Sequence, residues 1–316
     1  MIQSGVAALE KDRPFPSDCA LSWIIWGALN PSNQPCWTTS HLLHLGTLKL
    51  PSPSVMGVLN ITPDSFSDGG RFADIDVARR HAESMLADGA SIIDVGGEST
   101  RPGAADVSEA EELERVIPVI RALRDTVDLP ISVDTSKATV MREAVEAGAD
   151  LINDVMALQE TGALQAAADL QIPVCLMHMQ GRPRTMQTSP AYSHVVDEVA
   201  TFLRDRTAKC IEAGVARESI MIDPGFGFGK SHAHNVELLA NLRQLQDLGL
   251  PVLVGLSRKS TLGELTGRDV EDRLPASISA AVIAVMNGVQ IVRAHDVRET
   301  LDALRVASAV MDANDD

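Results

Sequence analysis

Short apolar runs alternate with longer amphipathic segments from about residue 55 to the end of the chain. Each run is rich in β-branched and aliphatic residues and is followed by a polar or glycine-rich loop, a pattern that predicts a β-strand. The segments between the loops repeat apolar residues at helical spacing, which predicts helices. The eight predicted strands are VMGVL (55–59), SIIDV (91–95), PISVD (130–134), LINDV (151–155), PVCLM (173–177), IMIDP (220–224), VLVGL (252–256) and QIVRA (290–294).

Glycines mark the ends of several predicted helices. Glycine adopts the left-handed backbone conformation that commonly ends a helix without the steric cost that a side chain adds. The glycines at these positions are Gly89, Gly148, Gly214, Gly249 and Gly288. The pattern predicts eight helices that alternate with the eight strands, and the last helix covers about residues 296–312.

The strand pattern favours a (β/α)8 TIM barrel. Runs that are apolar on both faces predict a parallel sheet that is covered by helices. Eight strand–helix units over about 250 residues match such a barrel, and an open doubly wound sheet is the alternative. The loops after the first and second strands, NITPDSFSDGGRF (60–72) and GGESTRPGA (96–104), are long enough to fold over a ligand as lids.

The first part of the chain differs from the rest. Residues 1–40 contain all three tryptophans and several prolines and show no clear periodicity. Two interpretations are open: a disordered N-terminal extension, or translation from a start codon placed too far upstream. The predicted catalytic domain is therefore the barrel of residues 41–316.

Composition narrows the class of protein and its partners. The chain has 316 residues with a net charge of −16, and this acidic surface repels nucleic acid and anionic membranes, so neither is an expected partner. An anionic substrate would then need local cations. The cysteines show no C-x-x-C spacing, which favours free thiols in a reducing compartment. No apolar run reaches membrane-spanning length. No signal peptide is evident, so we expect a cytoplasmic protein.

Polar side chains collect at the carboxyl ends of the predicted strands, where TIM barrels carry their active sites. They are Asn60, Asp94, Asp134, Asn153, Asp154, His178, Asp223, Lys259, Arg293 and His295. Burying an unpaired carboxylate is costly, so Asp134 and Asp223 need committed partners in their apolar strands. A structural carboxylate that caps the next helix is the alternative for Asp134. Two carboxylates, an amide and a lysine in one pocket suit a flat heterocycle with N–H donors and ring acceptors.

Two further groups of residues suit an anion. Thr100 and Arg101, at the tip of the second long loop, offer a hydroxyl and a guanidinium, although a solvated loop explains them equally well. Arg293 and His295 are two residues apart at the end of the eighth strand, so alternation points both the same way. With Asn60 on the neighbouring first strand, they predict a diphosphate and metal site.

The stretch IDPGFGFGKS (222–231) is similar to a nucleotide-binding P-loop but does not match its spacing. A P-loop has a glycine five residues before the one that precedes its lysine. Pro224 stands at that position, and proline has no amide to donate to a phosphate. We therefore assign Asp223 to the pocket and interpret Phe226 and Phe228 as packing or stacking faces.

Seven stretches together resemble the dihydropteroate synthase family. They occur in that family's order: VMGVLNITPDSFSDGG, IIDVGGESTRPGA, PISVDTS, LINDV, DPGFGFGKS, GLSRKS and VRAHDV. The resemblance begins at about residue 41, where HLLHLGTLKL is similar to the family's leading hairpin, and ends at about residue 312. It does not include the first 40 residues.

The resemblance implies a TIM-barrel enzyme of folate biosynthesis that is a homodimer and uses Mg²⁺. Such enzymes join 4-aminobenzoate to 6-hydroxymethyl-7,8-dihydropterin diphosphate and release diphosphate. The residues that resemble the pterin-binding set are Asp134, Asn153, Asp223 and Lys259, and Met177 is a further predicted substrate contact. Asn60 resembles the magnesium ligand. The residues that resemble the diphosphate anchors are Arg293, His295, Thr100 and Arg101. Those that resemble the aminobenzoate surroundings are Phe228, Lys259, Ser260, Phe66 and Pro102. Catalytic roles are predicted for Asp134, Asp223, Lys259 and Arg101.

The implied reaction is a dissociative, SN1-like substitution in which neutralised diphosphate leaves and a weakly basic arylamine attacks a stabilised cation. A methyltetrahydrofolate-to-corrinoid methyltransferase barrel is the nearest rival, but it would bind a pterin without a diphosphate. The predicted anion-binding residues argue against it. A catalytically inactive pterin-binding or scaffold protein is the second rival, and it would normally have lost a pocket residue.

Overall fold

A computed structural model describes residues 42–61, 71–99 and 106–315. It begins with two short antiparallel strands, β1 (Leu42–Leu45) and β2 (Leu48–Pro51). The parallel strands are β3 (Ser54–Asn60), β4 (Ile92–Gly96), β5 (Ile131–Asp134), β6 (Leu151–Asp154), β7 (Val174–Met177), β8 (Ile220–Asp223), β9 (Leu253–Gly255) and β10 (Ile291–Ala294). The α-helices of the described residues are α1 (Arg71–Ala87), α2 (Glu109–Arg124), α3 (Ala138–Glu146), α4 (Ala163–Leu170), α5 (Val195–Glu212), α6 (His232–Ala240), α7 (Ser260–Thr266), α8 (Leu274–Met286) and α9 (Val297–Asp315).

The eight parallel strands form a closed ring. Their hydrogen-bonded order is β8-β7-β6-β5-β4-β3-β10-β9. The two ends of this series meet where the Ile222 amide donates to the Pro251 carbonyl at 2.9 Å and Ile222 pairs with Val252. The predicted (β/α)8 barrel is therefore confirmed and the open sheet is excluded. Each of the eight predicted strands is present with its ends shifted by at most one residue.

The helices differ from the prediction at one place. We expected eight, but the described part of the chain has nine, because the segment between β9 and β10 forms both α7 and α8. Gly267 follows α7 in the left-handed conformation and ends it early (φ +66°). The five predicted helix-ending glycines all have positive φ, and Gly249 among them ends a 3₁₀-helix, Leu242–Leu248. The described helices include none that is long and apolar enough to cross a membrane.

The amino-terminal end of the barrel has an apolar interior. Side chains near the start of the strands pack there against leucines of the β1–β2 hairpin. They are Met56, Ile92, Leu151, Cys175, Met221, Leu253 and Ile291 from the barrel, with Leu45, Leu48 and Leu50 from the hairpin. The Gly46 amide, in the hairpin turn, donates to the Glu218 carbonyl at 2.7 Å and fixes the hairpin below the ring. This end of the barrel is a packed core, so a ligand site must form at the other end. Residues 1–40, which the sequence predicts to be an extension, lie outside the described residues.

Candidate active site

The strand register brings three of the predicted site residues side by side at the carboxyl ends of β3 to β6. Asn60 is opposite Gly96, Gly96 is opposite Asp134, and Asp134 is opposite Asn153. A Cβ placed on Gly96 would lie 3.7 Å from both Asn60 Oδ1 and Asp134 Oδ2. The absent side chain therefore leaves a space that the amide and the carboxylate border together.

A hydrogen-bonded network crosses the barrel below this edge. Arg293 Nε donates to Asp94 Oδ2 at 2.6 Å, and Arg293 Nη2 donates to Asp134 Oδ2 at 3.1 Å. Asn153 Nδ2 donates to the same Asp94 oxygen at 3.1 Å. The network joins four strands, β4, β5, β6 and β10, and it positions Arg293, Asp134 and Asn153 as one unit.

Asp94 is the residue of this network to which the sequence assigned no role. Its side chain is completely buried, and Oδ1 accepts no hydrogen bond within the described part of the protein. Because this oxygen is closed to solvent, Asp94 acts by holding Arg293 and Asn153 in place and not by contacting a ligand. A carboxylate inside the apolar run IIDVG was the signal that could have identified it.

Burial and neighbouring charge perturb the ionisation of the network. Burial, together with the negative charge of Asp94, raises the pKa of Asp134 to about 7, although the Arg293 guanidinium acts in the opposite direction. Burial acts to lower the pKa of Arg293, but the charges of Asp94 and Asp134 outweigh it and raise this pKa above its ordinary value. Arg293 therefore stays cationic, while the carboxyl group of Asp134 binds a proton more readily than a solvent-exposed one.

Asp223 lies at the end of β8 on the far side of the ring. It is buried, and its Oδ1 accepts a hydrogen bond from the Gly225 amide at 2.7 Å. Burial raises the pKa of Asp223 to about 6, against the lowering effects of the Gly225 amide and of the Lys259 charge. Met177 is opposite Asp223 in the β7–β8 register and is also buried. The second predicted carboxylate thus sits beside a thioether at the barrel mouth.

An apolar wall adjoins these residues. Its members come from the ends of β6 and β7 and from the loops after β7 and β8: Val155, Met156, Met177, Met179, Met186 and Phe228. Lys259 Nζ lies 4.2 Å from the centre of the Phe228 ring, a cation–π contact. Lys259 precedes α7, whose first residue is Ser260. The predicted aminobenzoate residues Phe228, Lys259 and Ser260 are therefore close to one another.

The glycine-rich loop after β8 does not have the geometry of a P-loop. Gly225, Gly227 and Gly229 all have positive φ, so the chain turns back sharply. The amine of Lys230 is buried and donates to the carbonyls of Gly225 and Phe228 at 2.9 and 3.0 Å. A lysine held inside the protein by its own loop does not reach out to a phosphate.

Two strand-end residues have structural roles rather than a place in the pocket. Asp154 is buried and accepts hydrogen bonds from the Ser136 hydroxyl and from the amides of Met156 and Leu158, the latter two at 2.8 and 2.7 Å. These bonds hold the turn after β6, and burial raises the pKa of Asp154 to about 6. His178 is also buried, and its Nδ1 lies 2.9 Å from Lys230 Nζ.

The remaining predicted residues lie at the edge of the site or outside the described residues. His295 is exposed, and its Nδ1 lies 3.1 Å from the Ser257 hydroxyl, in the loop after β9. A cavity of about 550 Å³ opens beside Asp134, between Ser99 and Asp106, which flank the second predicted lid. The lid residues themselves fall outside the described residues, so their roles stay predictions: Phe66, Thr100, Arg101 and Pro102.

Comparison with known proteins identifies the family. The model of the family described as pterin binding enzyme matches residues 56–295. The chain is 52% identical over 269 residues to dihydropteroate synthase of Escherichia coli K12, which covers 85% of this chain and 95% of that protein. The fold is similar to that of Yersinia pestis dihydropteroate synthase with a sulfonamide drug, with a TM-score of 0.82, 51% identity and coverage of 86% and 100% of the two chains. It is also similar to the Xanthomonas albilineans enzyme in complex with 7,8-dihydropteroate, with a TM-score of 0.78, 48% identity and coverage of 86% and 99%. The chain therefore belongs to the dihydropteroate synthase family of pterin-binding enzymes.

Proposed function

We propose that this enzyme joins 4-aminobenzoate to 6-hydroxymethyl-7,8-dihydropterin diphosphate and forms 7,8-dihydropteroate and diphosphate. The observation that carries the proposal is the polar network of Asp94, Asp134, Asn153 and Arg293 at the mouth of the barrel. The Asp134 carboxylate and the Asn153 amide match the donors and acceptors of a flat pterin ring, and the Arg293 guanidinium supplies a local cation on a strongly acidic chain.

The pterin would lie between the two sides of the ring of strands. Asp134 and Asp223 are acceptors for the N–H groups of the ring, and Asn153 can both donate and accept. Met177 would contact the ring with its thioether, because it is buried next to Asp223.

Arg293 would bind the diphosphate. Within the described residues, two of its five N–H groups donate to Asp94 and Asp134, and the other three are available for phosphate oxygens. His295 lies two residues further along the same strand end and is exposed. Thr100 and Arg101 are proposed to complete this subsite from the second lid.

The site also fits the Mg²⁺ ion that the family resemblance implies. Asn60 Oδ1 and Asp134 Oδ2 border the space above Gly96, and oxygen atoms are the ligands that Mg²⁺ prefers. The described residues contain no group of three His, Cys, Asp or Glu side chains arranged for a metal. We therefore propose Asn60 as a single protein ligand and substrate oxygens as the others. When bound, the ion would neutralise charge on the departing diphosphate.

We propose that the substitution at the pterin methylene carbon is dissociative, so that the bond to diphosphate breaks before the bond to nitrogen forms. The bond between the pterin methylene carbon and the diphosphate oxygen breaks, and the carbon becomes cationic while diphosphate carries the electron pair away. Asp134 and Asp223 stabilise that cation electrostatically in a dry pocket. The aminobenzoate nitrogen then bonds to the carbon and gives up a proton to the departing diphosphate, while Phe228, Lys259 and Ser260 hold the arylamine.

One assay tests the proposed function. Purified enzyme is given both substrates, with and without Mg²⁺, and dihydropteroate and diphosphate are measured. We expect both products in a 1:1 ratio only when 4-aminobenzoate and Mg²⁺ are present. A version of the enzyme that starts at residue 41 should be equally active, since the proposed site is built from the barrel. No diphosphate release would favour the methyltransferase-like alternative.

A second experiment addresses the order of bond breaking. The pterin diphosphate is labelled with ¹⁸O at the oxygen that joins the methylene carbon to phosphorus, and it is bound with an aminobenzoate analogue that lacks a nucleophilic nitrogen. A dissociative reaction lets the label scramble by reversible ionisation, and retention of the label would favour direct displacement.

We also propose that the enzyme is a homodimer in the cytoplasm. The neighbouring helices α8 and α9 expose the apolar side chains of Ile283, Met286 and Val306, and Val306 is 66% exposed. Apolar side chains on adjacent helices suit contact with a second copy of the chain. Cys175 and Cys210 are free thiols, which suits a reducing compartment.

A further inference from the structure

Lys230 is a buried amine with no part in the proposed reaction. Its side chain lies in the loop after β8, and the residue is only 2% exposed. Burial lowers its pKa to about 7, although the negative charge of Asp223 opposes this effect. Placing a charged or ionisable amine inside a protein costs free energy, so it needs several strong acceptors.

The amine of Lys230 collects acceptors from two different loops. Its Nζ lies 2.9 Å from His178 Nδ1 and 3.3 Å from the His178 carbonyl oxygen, in the loop after β7. It also lies 2.9 Å from the Gly225 carbonyl and 3.0 Å from the Phe228 carbonyl, in the loop after β8. Burial and the nearby Lys230 charge lower the pKa of His178 to about 3, so its ring is neutral, and in the tautomer that carries its proton on Nε2 the Nδ1 atom accepts from Lys230.

Glycines let the two loops approach each other closely around this amine. A Cβ on Gly225 would lie 2.0 Å from the His178 carbonyl oxygen, and a Cβ on Gly229 would lie 2.3 Å from the Gln180 carbonyl oxygen. Both glycines also have positive φ. Because the two backbones are in contact, three of their carbonyl oxygens face the Lys230 amine and lie within 3.3 Å of it.

The same loop carries one wall of the arylamine subsite. The carbonyl of Phe228 accepts a hydrogen bond from the Lys230 amine, and the Phe228 amide donates to the Gly225 carbonyl at 3.1 Å. Its ring lies under the Lys259 ammonium. The position of the ring thus depends on a turn whose carbonyls converge on one buried amine.

We infer that Lys230 is a positioning residue for the arylamine subsite, acting by fixing the Gly225–Gly229 turn and with it the ring of Phe228. The inference rests on the proposed function, because it assigns the Phe228 and Lys259 side to 4-aminobenzoate. Lys230 is only 2% exposed, so we expect it to touch neither substrate. Its effect is therefore on the affinity for the arylamine rather than on bond breaking.

Lys230→Met is the principal test, because methionine has a similar volume but no donor. We expect the KM for 4-aminobenzoate to rise about ten-fold or more, the scale of a lost charge-assisted hydrogen bond. The affinity for the pterin diphosphate, measured by calorimetry, should fall by a smaller factor than the arylamine KM rises, because the Gly225 amide can still donate to Asp223. The kcat at saturating arylamine should change less than three-fold. Lys209→Met, on the exposed face of α5, is the matched control and should leave all three unchanged.

A second variant covers the case in which Lys230→Met does not fold. Lys230→Gln keeps two N–H donors and removes the charge, and it should raise the arylamine KM by less than Lys230→Met. Equal losses for both substrates, or an unchanged arylamine KM, would overturn the inference. A wild-type enzyme that forms no dihydropteroate would overturn the proposed function as well, whereas normal wild-type activity with an unchanged KM in the variants would overturn the inference alone.

Discussion

Removal of Arg293 should destabilise the protein strongly, because it leaves buried carboxylates without their cation. Asp94 is completely buried, and one of its oxygens is bonded to Arg293. Breaking a buried ion pair by removing one partner costs about 3–5 kcal/mol. The Arg293 side chain is 22% exposed, so water compensates part of the loss and we expect the lower end, about 3 kcal/mol.

Arg293→Met is compared with wild type by thermal melting of the ligand-free enzyme. A loss of about 3 kcal/mol corresponds to a fall in Tm of about 6 °C or more for a domain of this size. The matched control is Arg204→Met, since Arg204 is exposed on α5 and its replacement should change stability by less than about 0.5 kcal/mol. The double variant Asp94→Asn with Arg293→Met should recover at least half of the loss, because the uncompensated charge is gone.

The penalty should also depend on pH. Arg293 lowers the pKa of Asp134, so its removal raises that pKa further above its present value of about 7. A carboxyl group with a raised pKa in the folded state stabilises the protein at low pH and loses that contribution as the pH rises. The difference between Arg293→Met and wild type should therefore be larger at pH 8 than at pH 5. The reasoning is refuted if Arg293→Met melts like Arg204→Met, or if the double variant is no more stable than the single one.

Three further predictions concern the pterin pocket and the surface. Asp223→Asn should weaken binding of the pterin far more than binding of 4-aminobenzoate, and equal losses in calorimetry would remove Asp223 from the pterin pocket. Burial raises the pKa of Asp223 from 3.8 to about 6, so its contribution to the stability of the ligand-free enzyme is present below about pH 4 and is lost as the pH rises through 6. Melting curves should therefore show wild type losing about 3 kcal/mol relative to Asp223→Asn between about pH 4 and pH 7. Ile283→Glu with Val306→Glu should give a monomer in sedimentation, and an unchanged dimer would place the interface elsewhere.

The strands and most of the strand-end residues could be predicted because their signals are local. A buried strand is a short apolar run, and a carboxylate such as Asp223 stands out inside it. The helix count failed at Gly267, where a left-handed residue divides one predicted helix into α7 and α8. Glycine occurs both at such boundaries and inside ordinary loops, so its effect depends on backbone geometry that the sequence pattern does not contain.

Pairings between distant residues were the part that the sequence could not supply. Asp94 was visible as a strand-end carboxylate, but its partners Arg293 and Asn153 are brought to it by the register of the ring. The inward orientation of Lys230 was hidden for a similar reason. A lysine in a glycine-rich loop normally points to solvent, and only the close approach of the loop after β7 provides acceptors for it.

The bond between Asp94 and Arg293 joins residues that are 199 positions apart in the chain. Bringing two such distant residues together costs loop-closure entropy, so we expect the contact to form late in folding. It forms when the last strand docks between the first and the seventh strands of the barrel. A nascent chain that has not yet produced β10 therefore contains the other seven strands of the barrel, but the buried carboxylate of Asp94 lacks its cation. Binding of the pterin would therefore require the complete ring of strands. A fragment that ends before Ile291 should be unable to bind the pterin.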